Sequence, residues 1–200
     1  MNLLKNIPKG FFLILALSIG FQASGQKLVY ELVKGGDVIG EMICEKIESG
    51  DQLTYSIRSV TNFRIVVKLT VEYQLDETYE NGVLIEGRTN STLNGVTQKE
   101  STVKKRNTDY RVETESDIVF LQDKEISYSI PEIYFQEPVG KDKIFSQVFA
   151  TYLVIQDQGD HSYLLESEDG NNIYKYEDGI CTEVKVDRSY ATFYIKLKSK

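Results

Sequence analysis

Histidine occurs once, proline three times and cysteine twice in the 200 residues. Beyond the first 25 residues no apolar run approaches the roughly 18 residues that a membrane-spanning helix requires. Each scarcity removes a class of chemistry. Two cysteines and one histidine cannot build the usual four-ligand structural zinc site without carboxylates, and with no C-x-x-C pair there is no thioredoxin-like redox motif. No G-x-S-x-G elbow, P-loop, G-x-G-x-x-G or H-E-x-x-H is present, so no catalytic residue, metal or cofactor is indicated by motif. Basic residues are also few: 23 Lys and Arg stand against 30 Asp and Glu, a net charge of −7. That surface is poor for nucleic acid, whose affinity comes from neutralised phosphates.

What is there suffices for one packed domain. Hydrophobic residues make up 41% and charged residues 26%, with 13 Tyr and 9 Phe; this argues against a disordered chain. The start reads as an export signal. Met1 to Lys9 carry two lysines and no acid, Phe11 to Phe21 form a short apolar stretch, and Ala23 and Gly25 offer the small-x-small exit before Gln26. The expected division is a signal peptide over 1–25 and a single β-rich domain over 26–200. The product is then exported, periplasmic or secreted, monomeric and without a membrane span. Removing Lys5 and Lys9 leaves 21 basic against 30 acidic residues, or −9. An oxidising compartment permits a disulfide between Cys44 and Cys181. Strand parity works against it: Ile180, Val184 and Val186 share one face, which turns Cys181 outward unless a bulge intervenes.

The body has the period of a β meander. From Arg64 to Glu80, Ile65, Val67, Leu69, Val71, Tyr73 and Leu75 alternate with Lys68, Thr70, Glu72, Gln74 and Asp76, which predicts one long half-buried strand. Asn81-Gly82 and Asn94-Gly95 suit type I′ hairpin turns, and Ser49-Gly50-Asp51, Asp169-Gly170 and Asp178-Gly179 punctuate other strands. The expected fold is all-β: an antiparallel meander of about ten or eleven strands forming a curved sheet, roll or partial barrel. The stretch 84–106 is polar on both faces and predicts a solvated edge hairpin, its Lys99, Lys104, Lys105 and Arg106 discouraging edge-to-edge pairing. Pro131 and Pro138 interrupt the meander. Pro131 fits the first turn of a short helix over 131–136, which would lay Ile133, Tyr134 or Phe135 across an open end of the sheet as plug or lid.

Candidate ligand-binding or lid residues are therefore Ile133, Tyr134, Phe135 and Glu137, with His161 and Tyr163 from the segment DQGDHSY. Asp157 and Asp160 flank His161, but no nucleophile accompanies it, and Asp160-His161 falls where a turn meets a strand. KLVYELVKGGDVIGEM, YENGVLIEG, IPEIYFQEPVGKDKIFSQVF and the tail from GDHSYLLESEDG to FYIKLK together resemble an exported β-rich family of Bacteroidota, a domain of unknown function spanning the mature chain. The resemblance implies a bacterial periplasmic protein and carries no catalytic residues. Its motif positions, Gly36, Gly40, Gly82, Tyr134, Phe135, Glu137, Pro138, His161, Gly170, Tyr176 and Gly179, are mostly turn glycines and core aromatics. The expected function is a non-enzymatic envelope protein binding an apolar ligand or an envelope partner. A glycan hydrolase using paired carboxylates is the other reading, because two acids that meet in space leave no sequence signature.

Overall fold

The computed structural model describes residues 23–64, 68–122, 125–189 and 191–200. One meander comprises β1 (Ser24–Lys34), β2 (Asp37–Ser49), β3 (Gln52–Arg64), β4 (Lys68–Glu80), β5 (Val83–Leu93), β6 (Val96–Arg106), β7 (Asp109–Thr114) and β8 (Ile118–Leu121). A second comprises β9 (Lys143–Ser146), β10 (Thr151–Gly159), β11 (Ser162–Ser167), β12 (Gly170–Glu177), β13 (Ile180–Arg188) and β14 (Ala191–Ser199). The two join where β1 pairs with β14, giving one 14-stranded antiparallel sheet with β8 and β9 at its edges. The sheet curls on itself without closing. Phe63 of β3 and Phe193 of β14 meet across the interior with ring centroids 5.9 Å apart.

The sheet has more strands than the ten or eleven expected, and the strand predicted from Arg64 to Glu80 is shorter. β3 ends at Arg64 and β4 begins at Lys68, the two residues facing each other across an antiparallel pair. The period-two pattern runs on across the break between the two strands, which alternation alone cannot reveal. Ile65 and Val67 lie outside the described residues, as do residues 1–22. From Leu69 onward the predicted parity holds: Leu75 is buried, whereas Glu72, Gln74 and Asp76 are exposed. The hairpin turns also fold as their sequences require. Asn81 and Gly82 have φ of 51° and 76°, and Asn94 and Gly95 have 51° and 78°, the paired positive values of a I′ turn.

Two expectations are corrected. The polar stretch 84–106 is not a sheet edge: β5 lies between β4 and β6, and β6 between β5 and β7. Its inner face tolerates burial because the hydroxyls find partners. Thr89 Oγ1 and Ser101 Oγ lie 3.3 Å apart, and Ser101 Oγ donates to the Gln147 carbonyl at 2.9 Å. Cys181 points inward, not outward, and is fully buried. Between Lys175↔Glu183 and Tyr176↔Cys181 the register slips by one residue, and this bulge reverses the parity of β13 at its start.

A 3₁₀ turn at Ile130–Tyr134 fills one end of the curled sheet. Pro131 occupies its first turn, and Ser129 and Glu132 form a capping box, the Ser129 amide donating to Glu132 Oε1 at 3.2 Å. Tyr134 packs edge-on against Tyr30 and Tyr174, with centroids 5.6 and 6.1 Å away, and Phe135 lies 5.6 Å from Tyr55. Tyr176 anchors the turn by donating its hydroxyl to the Ile133 carbonyl at 2.8 Å.

Candidate functional site

The hairpin turns sort into two ends. At one end lie Ser49-Gly50, Asn81-Gly82, Asp160-His161 and Asp178-Gly179, together with the 3₁₀ plug. At the other lie Gly35-Gly36, Asn94-Gly95 and Glu168-Asp169, with the close of β3 and the start of β4. This second end holds the space. An inner cavity of about 320 Å³ is lined by Met42, Ile57, Leu75, Tyr134, Leu165 and Ile195, among others. An outer one of about 360 Å³ lies among Phe63, Leu69, Leu93 and Ala191. Val71, Ser91, Lys99 and Asp169 line both, so the two are chambers of one site. Volumes of this size, with apolar walls and a few polar groups, are typical of small-molecule sites.

At the junction, Lys99 of β6 donates to both carboxylate oxygens of Asp169, at 2.8 and 2.6 Å, bridging two halves of the sheet 70 residues apart. Its ammonium also sits 4.9 Å from the Phe149 ring centroid. Deeper, Gln147 is 1% exposed, and neither its Oε1 nor its Nε2 has a partner among the described residues. Its carboxamide fits there because position 87 is glycine: a Cβ at Gly87 would collide with Gln147 Oε1.

The plugged end carries two polar clusters that line neither chamber. Glu77, on the inner face of β4 and 2% exposed, accepts from the Ser129 hydroxyl and from Tyr79 at 3.2 Å. Burial pushes its carboxyl up to about 8, and that of Glu132 up to about 7. On the rim, the Glu137 carboxylate lies 3.0 Å from His161 Nδ1 and accepts from the Tyr163 hydroxyl at 2.9 Å. Burial and Glu137 push the Tyr163 phenol up to about 12.

Of the residues singled out from sequence, Glu137, His161 and Tyr163 thus come together, and Ile133, Tyr134 and Phe135 are buried in the plug. Tyr134 alone of the six lines the cavity. Asp160 and His161, at φ of 50° and 55°, are both turn residues rather than the start of a strand. Cys44 and Cys181 are free, buried thiols, and burial pushes both pKa values up, which keeps them unreactive. Lys99, Asp169 and Gln147 were missed as a group, because their meeting depends on the curl of the whole sheet. Among the described residues, no cluster of three or more His, Cys, Asp or Glu could hold a metal, and no helix is long and apolar enough to cross a membrane.

A family described as Domain of unknown function (DUF6134) matches residues 30–198. The chain belongs to this family. The match runs from within β1 to within β14 and takes in both chambers of the cavity. Among solved structures, a beta-barrel-like protein of another domain of unknown function, DUF1849, from Brucella abortus superposes with a TM-score of 0.56 at 16% identity. The alignment covers 86% of this chain and 95% of that one. At that identity the likeness speaks for the fold alone. No curated protein matches the chain.

Proposed function

We propose that this DUF6134 protein is an exported, non-enzymatic binding protein of a bacterial envelope, which takes an apolar ligand into its open end. The observation that carries the reading is the two-chambered cavity: apolar walls from both meanders converge on it, and the opposite end is sealed by the plug. A filled core would have brought these side chains into contact, since protein interiors leave few voids larger than a water molecule. The leader-like residues 1–25 support export. β1 begins at Ser24, so cleavage before Gln26 removes only two exposed residues of that strand. The hydrolase reading has less support, because Glu77 lies beneath the plug and Glu132 within it, and neither lines a chamber. Native mass spectrometry of protein purified from its own host tests the proposal. A retained small molecule is expected, lost when Val71→Trp fills the passage between the chambers. An empty protein that takes up no amphiphile overturns it.

A further inference from the structure

We infer that the ligand is an anionic amphiphile, whose acidic head takes the place of Asp169 on Lys99 while its apolar chain fills the inner chamber. This rests on the cavity being a binding site and specifies what it selects. Among the described residues, the charged side chains lining the two chambers are Lys34, Lys99, Arg188 and Asp169, three cations against one anion, in a chain whose net charge is −7. Positive lining in an acidic protein is local complementarity, opposite to the overall field.

Of these cations, Lys99 stands at the junction, Lys34 in the outer chamber and Arg188 in the inner. The Lys99 and Asp169 side chains are 42% and 45% exposed, so solvent reaches the pair. Among the described residues Lys34 has no carboxylate partner; its ammonium rests 5.6 Å from the Phe63 ring centroid in the outer chamber. Arg188 is occupied by Asn172 Oδ1 and backbone carbonyls at the chamber wall. A carboxylate or phosphate arriving between the chambers meets an ammonium whose present partner is a half-exposed aspartate. The exchange leaves Lys99 paired and releases Asp169 to water, so it forfeits little, as expected for an exposed ion pair. Inward from Lys99 the wall turns apolar, through Val71, Leu75 and Ile57, as a hydrocarbon chain requires.

Binding of four twelve-carbon probes to the purified protein tests this: dodecanoate, dodecyl phosphate, neutral dodecanol and cationic dodecyltrimethylammonium, each read by calorimetry below its micellar concentration. Either anionic probe, or both, is expected to bind about tenfold more tightly than dodecanol, and the cation more weakly still. Which anion leads identifies the head as carboxylate or phosphate. Lys99→Gln removes the preference for anions, whereas Asp169→Asn strengthens anion binding several-fold by deleting the competitor. Both substitutions lie at a half-exposed site, and melting curves confirm the fold. Dodecanol binding as tightly as the anions, or an anion preference that survives Lys99→Gln, overturns the inference while leaving the cavity a binding site. Failure of all four probes removes both readings.

Discussion

Glu77 occupies an inward position of β4 that its neighbours Leu75 and Tyr79 fill with apolar rings and chains, and it pays for that place in protons. Its carboxyl ionises near the ordinary 4.5 in the unfolded chain but holds its proton to about 8 when folded. Between those values the folded state carries the extra proton, so the stability it brings is complete below about 4.5 and is lost as pH rises through about 8. Glu132 acts the same way over the narrower span from 4.5 to about 7. Thermal melts should therefore show stability falling by a few kcal/mol between pH 5 and 8.5, and Glu77→Gln should flatten the slope and raise the melting temperature at the alkaline end. A wild-type profile without that decline would mean the carboxyl is not buried as described. The residue was legible in principle: the same alternation that places Leu75 inside places Glu77 inside, two positions on. Its partner Ser129 was not, because 52 residues separate them and only the plug brings them together. His161, by contrast, has a side chain 72% exposed beside Glu137. His161→Gln should cost on the order of 1 kcal/mol or less in denaturant unfolding.

Elements were legible where local chemistry dictates them. The Asn-Gly turns, the alternation of β4 beyond Leu69 and the proline-started turn all carry their conformation in adjacent residues, and each folds as read. What failed depended on partners. Cys181 turns inward through a bulge defined by its register against β12, the polar strands β5 and β6 are interior because β7 pairs beyond them, and their buried Ser101 is satisfied by Gln147, 46 residues away. Parity gives a direct check on β4. Leu75→Asp should destabilise by several kcal/mol, and Gln74→Asp by less than about 1 kcal/mol, in denaturant melts; equal losses would mean both faces are buried. The plug is tested by Tyr134→Ala, which removes a ring packed between Tyr30 and Tyr174 and should cost about 3–5 kcal/mol. A loss near zero would make the turn a loose cover rather than part of the core.

At the scale of the whole molecule, the strands farthest apart in sequence lie side by side at the centre of the sheet, while its edges, β8 and β9, are neighbours along the chain. The Tyr30 hydroxyl already reaches the Cys181 carbonyl, at 2.9 Å across 151 residues. If residues 1–25 are a leader, intact-mass analysis of the exported protein should find it beginning at Gln26. The seam between β1 and β14 also sets an order of events in time. A chain leaving the ribosome or a translocation pore makes β1 early and must leave one of its edges bare until β14 emerges. For that interval the inner face of the first meander, Leu28, Tyr30 and Leu32 included, has no second half to cover it. Such long-range pairing folds slowly. The growing chain is thus open to misassociation along β1 until the last strand arrives.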